Sequence, residues 1–150
     1  MQRPQLSLKG RALRLLSGRE HSRSELERKL AGHEEEPGQL RRVLDELQAR
    51  GFIDHQRVAD SVVHRRAGKL GAARVRQELQ GKGLEPELVA QAVAGLRSSE
   101  VTRALEVWRR KFDAPPADAA ERGKQARFLA ARGFDGDVIR RVLGGTVTND

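Results

Sequence analysis

Catalysis near neutral pH needs nucleophilic or titratable side chains held close together, and this 150-residue chain offers few such arrangements. Its four histidines, His21, His33, His55 and His64, stand singly, and none has the HExxH spacing that sets two imidazoles on one helical face for zinc. His33 precedes Glu34-Glu35-Glu36, a run that could attract a cation. A metal site, however, needs ligands fixed at bonding distance, and the run reads as a solvated acidic loop. Cysteine is absent, which removes disulfides, thiolate metal sites and a thiol nucleophile and fits a reducing compartment. No phosphate-cradling glycine loop of the Walker or GxGxxG kind occurs, and Ser, His and Asp form no local nucleophile signature. Carboxylates mostly alternate with cations, as in Glu25-Leu26-Glu27-Arg28-Lys29, the pattern of a solvated helix face. Nothing here argues for catalysis, so the chain is expected not to be an enzyme and to carry no cofactor or metal.

The cations say more. Charged residues make up 33% of the chain, the formal net charge is +8 and the pI is near 10.9, a balance suited to a polyanion or an acidic protein face. Between Arg57 and Lys82 lie Arg57, Arg65, Arg66, Lys69, Arg74, Arg76 and Lys82, opposed only by Asp60 and Glu78. Further arginine pairs occur at Arg41-Arg42, Arg109-Arg110 (followed by Lys111) and Arg140-Arg141. Arginine's planar fork binds two oxygens at once, on phosphate or carboxylate. The central cluster is therefore read as a binding surface, which Arg109, Arg110, Lys111, Arg140 and Arg141 would extend. Aromatics are only 3% and tyrosine is absent, too few for a platform that stacks successive bases, so any nucleic-acid contact should be mainly to phosphates and salt-sensitive.

These side chains must be positioned by helices. Ala, Leu, Arg, Glu and Gln dominate, and no alternating Val/Ile/Thr run lies between turn residues. The apolar spacing predicts helices over 8–17, from a Ser22/Glu25 capping box to Leu30, and from Pro37 to about Arg50. It predicts a second group from an Asp54 cap to Ala67, over 72–81, and from Pro86 to about Leu96. A third group runs from a Ser98 or Ser99 cap to Phe112, over 118–132 and over 137–143, with Pro115-Pro116 enforcing a break. That makes about nine helices in three sets of three. Residues 1–54, 55–98 and 99–145 are the expected units, with 146–150 a loose tail. Residues 1–10 lack an apolar stretch of signal-peptide length, and no apolar run approaches the ~18 residues that span a bilayer, so a cytoplasmic protein is expected.

The three sets are copies of one pattern. Leu26, Leu30, Leu40 and Leu44 are matched 49 places on by Val75, Leu79, Val89 and Val93, and the last three of these are matched 50 further on by Leu129, Ile139 and Leu143. Pro37, Pro86 and Gly136 share one register position. A fixed period of this length means stacked supersecondary units, which offer an extended surface rather than an enclosed pocket. Ala49-Arg50-Gly51-Phe52 also resembles Ala131-Arg132-Gly133-Phe134, but out of that register; the first ends a third helix and the second a middle helix. Three-helix units invite a helix-turn-helix reading, and sequence-specific DNA recognition stands as the alternative function. The gap from Ala31 to Glu36 is longer than the usual three- or four-residue turn.

In order and spacing, four segments resemble the RecX family of RecA regulators. Ala12-Leu13-Arg14-Leu15-Leu16 with Ser22 to Leu30 is similar to its opening signature. Gly51-Phe52-Ile53-Asp54 with Val58 to Val63 is similar to its central aromatic-x-Asp stretch, although Val58 and Val62 stand where members often carry aromatics. Gly71, Val75, Glu78, Leu79 and Lys82-Gly83-Leu84 follow its Gly-x-x-x-Ile-x-x-Glu-Leu-x-x-Lys-Gly-Ile element, and Arg132-Gly133-Phe134 its C-terminal element. Glu34 replaces a glycine that the family tends to have after the second helix of the first unit, and Glu35-Glu36 make that loop acidic. The resemblance implies an elongated, curved, all-α protein of three tandem three-helix repeats, working in homologous recombination, DNA repair and the SOS response. It implies binding to RecA, chiefly in the groove of its DNA filament, with restraint of strand exchange, ATP hydrolysis and co-protease activity. DNA binding, single- or double-stranded and without sequence preference, is also implied. The expected form is a monomer away from membranes, with the cations facing acidic protein surface or phosphate.

Overall fold

The computed structural model describes residues 5–144. The tail read over 146–150 lies outside them. Among the described residues there are nine α-helices and no strand. The first set is α1 (Leu8–Gly18), α2 (Arg23–Leu30) and α3 (Gln39–Ala49), with a 3-10 turn (Ala31–His33) after α2. The second is α4 (His55–Arg66), α5 (Ala72–Gly81) and α6 (Pro86–Arg97). The third is α7 (Glu100–Lys111), α8 (Ala119–Ala131) and α9 (Gly136–Leu143).

Each set encloses its own apolar cluster. Leu8, Ala12, Leu26, Leu30, Leu40, Leu44, Leu47 and Ile53 form the first. The second centres on Val58, Val62, Val75, Leu79, Val89 and Val93, and the third on Leu105, Leu129, Phe134, Ile139 and Leu143. The Leu, Val and Ile residues related by the 49- and 50-place shifts are all buried, so the sequence repeat marks equivalent core positions. Each such aliphatic side chain contributes roughly 1.5–3 kcal/mol by leaving water. The third copy of the position held by Leu26 and Val75 is Gln125, which is 1% exposed. It survives there because every polar atom is engaged: its carbonyl accepts from Trp108 Nε1 at 2.8 Å, and its amide donates to Ala114 O and Glu121 Oε1.

Local chemistry accounts for most helix starts. Ser7, Asp54, Asp118 and Asp135 each accept from a backbone N–H three residues on, and Ser22 and Glu25 form the full capping box. Pro86 begins α6. Two starts differ from the sequence expectation. Pro37 does not open α3: Gly38 adopts a left-handed φ of 85°, so the helix begins at Gln39, and Glu34 Oε2 takes up the Leu40 N–H at 2.8 Å. Ser99 occupies the N-cap position of α7, but its hydroxyl donates to Leu96 O and accepts from Arg103 Nε instead of from a backbone N–H of the new helix. The two Arg-Gly-Phe segments end α3 and α8 with the same paired bonds: Phe52 N to Leu47 O with Gly51 N to Gln48 O, and Phe134 N to Leu129 O with Gly133 N to Ala130 O.

Candidate binding surface

The second and third sets meet backbone to backbone. Gly71 N donates to Arg132 O at 2.7 Å, and Ala73 N donates to Gly133 O at 3.2 Å. This approach needs glycine on both sides. A Cβ on Gly71 would stand 2.6 Å from Phe134 N, and one on Gly133 (φ 91°) would stand 2.6 Å from Arg74 N. Gly71 can offer α5 no capping side chain, and Glu100 Oε1, at the start of α7, accepts from Ala72 N instead. Arg103 completes the joint. Its guanidinium donates to Ala67 O and Leu70 O beyond α4 and to Leu96 O at the end of α6. Burial lowers its pKa from the usual guanidinium value, against the pull of the Glu100 carboxylate.

The joint leaves an open cleft of about 340 Å³. Lys69, just after α4, Arg110 and Lys111 on α7, and Arg132 after α8 line it over a floor of Val107 and Phe128. No carboxylate is among the lining residues. The Arg132 guanidinium lies 3.6 Å from the Phe128 ring centroid, and Lys111 Nζ lies 5.8 Å from it. Such stacking holds cations in a fixed plane without neutralising them. Arg110 also donates to Gly68 O at 3.2 Å, which anchors it across the joint. A second cleft of about 360 Å³ at the same joint is lined by Arg76, Arg97 and Arg141, here with Glu100 and Asp135 among them. The first arrangement suits oxyanions arriving from solvent, as phosphate or carboxylate.

The other cations of the expected surface are placed differently. Arg57 is directed at Glu20 (2.9 Å), Asp54 and Gly51 O. Lys82 pairs with buried Glu25 at 3.2 Å. Both join the first set to the second, as do Arg28, donating to Gly81 O, and His55, whose Nε2 accepts from Arg23 N while Nδ1 faces Glu85. Arg66 and Arg65 share Glu78, at 3.0 and 3.9 Å. Arg74 donates to Ala131 O and packs over Gly133. Arg109 lies near Glu106, and Arg140 pairs with Asp137. The structure therefore gathers Lys69, Arg110 and Lys111 in one cleft and Arg76 with Arg141 in another. Arg132 is a cleft residue that the arginine-pair reading passed over. Its signal was the Phe128–Arg132 spacing of four, which stacks a guanidinium on a ring at a helix end.

Among the described residues, Glu25 is the acid held furthest below its usual pKa. Burial pushes its pKa up, but hydrogen bonds from Arg19, the Ser22 N–H and Lys82 outweigh that and bring it down to about 2. Among the described residues no group of three His, Asp or Glu could hold a metal ion, and no helix is long and apolar enough to cross a membrane.

Comparison with known proteins agrees with this architecture. Three family models match in tandem: RecX, first three-helix domain, over residues 9–47; second, over 54–93; and third, over 98–143. The chain is 57% identical over 141 residues to a regulatory protein RecX of Leptothrix cholodnii, covering 94% of this chain and 90% of that one. It is 49% identical over 143 residues to one of Ralstonia nicotianae, with 95% and 90% covered. The crystal structure of RecX from Lactobacillus salivarius has the same fold, with a TM-score of 0.75 at 20% identity over 92% of this chain and 93% of that one. Three matched three-helix domains and relatives at this identity along nearly the whole length lead to one assignment: the chain belongs to the RecX family of regulatory proteins.

Proposed function

We propose that this protein binds the recombinase RecA and its DNA filament and restrains strand exchange, ATP hydrolysis and co-protease activity. The observation that carries the reading is the tandem match of all three RecX domains, with 57% identity to a protein named regulatory protein RecX. The cleft of Lys69, Arg110, Lys111 and Arg132 supports a charged partner, because it concentrates cations that have no lining carboxylate. Arg76 and Arg141 form a second point of attachment. A chain of three units, divided near 54–55 and 98–99, can touch several filament protomers, so weak contacts add through avidity. It acts as a monomer in the cytoplasm, on phosphate or acidic protein surface, without sequence preference.

The test is ATP hydrolysis by RecA on single-stranded DNA with this protein added below stoichiometry. Hydrolysis should fall at low ratio. The combined Lys69→Glu, Arg110→Glu and Lys111→Glu variant should need ~10-fold more protein, the equivalent of roughly 1.4 kcal/mol. Unchanged inhibition by that variant removes the cleft from the mechanism. No effect of the wild-type chain at equimolar ratio removes the recombinase reading and favours duplex DNA recognition.

A further inference from the structure

The expected surface begins at Arg57, yet an open cleft of about 620 Å³ also lies in the first set of helices, between α1, α2 and the 3-10 turn. Arg11, Arg14, Arg19 and Lys29 surround it, Leu15 and Leu30 contribute apolar lining, and no carboxylate lines it. Of the two nearest acids in sequence, Glu20 is engaged with Arg57 outside the cleft, and Glu25, not itself a lining residue, pairs with Arg19 and Lys82. Glu34, beside the cleft in sequence, takes up the Leu40 N–H. The Arg11 and Arg14 guanidinium groups make no hydrogen bond or ion pair within the described residues, and only their backbones are bonded. Arg19 is paired with Glu25, whereas Arg11, Arg14 and Lys29 have no carboxylate partner among the described residues, so the repulsion of these three around one hollow is unrelieved in the free protein.

The wall is built rather than incidental. His21 is 2% exposed. Its Nδ1 lies 3.0 Å from Arg19 O, a partner that can only accept, so Nδ1 carries the proton and Nε2 is the acceptor. Lys29 Nζ donates to that Nε2 at 3.2 Å. Burial, helped by the Arg19 and Lys29 charges, lowers the His21 pKa and keeps the ring neutral. The lysine is thus held at the cleft by a partner that leaves its full positive charge in place.

The geometry points to a phosphate-binding site in this cleft, with Arg11, Arg14 and Lys29 as the anion ligands and His21 as the residue that positions Lys29. The clustered charge suits a phosphate ester or polyphosphate, carried either by a free nucleotide or by a nucleic-acid strand. The site is separate from the cleft between the second and third sets and does not rest on the recombinase reading.

Backbone amide NMR of the full chain, titrated separately with pyrophosphate, a nucleoside triphosphate and single-stranded oligothymidylate, tests it. The expected result is saturable shifts over residues 10–33. Arg14→Ala and Lys29→Ala, both at exposed positions, should weaken pyrophosphate binding read at these amides ~10-fold or more, and Arg122→Ala, exposed on α8 away from both clefts, should leave it unchanged. A triphosphate binding more tightly than the oligonucleotide identifies the free nucleotide as the source, and the reverse order identifies the strand. Absence of saturable shifts there with all three probes, or shifts that persist in both alanine variants, overturns the proposal. Failure at the other cleft would be read at different amides.

Discussion

Single side chains in this protein hold either a joint or a core position, and their partners set what their loss costs. Glu25 caps α2, pairs with Arg19 and reaches Lys82 of the second set while almost fully buried. Its folded pKa of about 2 lies below the ordinary 4.5, so its contribution is complete above pH 4.5 and is lost as pH falls toward 2. Glu25→Gln should therefore lower urea-unfolding stability by about 2–3 kcal/mol at pH 7, a difference that shrinks through that acidic window. Gln125 is the polar exception in the repeated core, and its role is tied to Trp108. Gln125→Leu should cost about 1 kcal/mol by leaving the indole N–H without its acceptor, and adding Trp108→Phe should recover part of it. A double-mutant cycle on unfolding free energies gives the coupling; a zero value would mean the pair is independent.

At the scale of elements, the joint between α5 and the α8–α9 turn is the most demanding place in the fold. Gly133→Ala would force a side chain onto a left-handed backbone and into Arg74. The expected loss is about 3 kcal/mol, from backbone conformation and overpacking together. Amide exchange should accelerate in α7 to α9 more than in α1 to α3, because the variant loosens one joint while each set keeps its own cluster. Uniform acceleration across all nine helices would mean that the sets unfold as one unit. Arg103→Met acts on the same joint by another route. It preserves much of the side-chain stem but withdraws the donors from three carbonyl groups, at Ala67, Leu70 and Leu96, and should cost about 2 kcal/mol.

Across the whole molecule, a net charge of +8 is partitioned into pairs that hold the sets together and clusters left facing solvent. Binding to a filament or to DNA should therefore weaken as salt rises. Lys69→Ala with Lys111→Ala should reduce the slope of log K against log salt by roughly 1–2. Lys82→Ala should leave that slope alone while lowering stability, since its ammonium neutralises Glu25 inside the joint. Equal changes of slope in the two variants would show that Lys82 reaches the ligand as well.

The helices, their grouping and the repeated core were legible in the sequence because each follows from short-range rules. The 49- and 50-place matches fell on buried residues, and the serine, aspartate and proline signals mostly capped the helices they preceded. Pro37 misled because Pro-Gly is a turn signal as well as a helix start: Gly38 is left-handed, Gln39 N donates to Glu36 O, and the helix begins only beyond that turn. The candidate site was only partly legible. Lys69 and Lys82 belong to one cationic run, yet one lines an open cleft and the other neutralises a buried carboxylate. A lysine carries the same charge in either place, and nothing local records which helix ends will meet it. By itself the sequence determined the helices, the repeat and the family, through periodicity, capping and residue order. The tertiary structure decided which cations stay available to a partner, because only the meeting of the sets distributes the carboxylates and carbonyls that engage the rest.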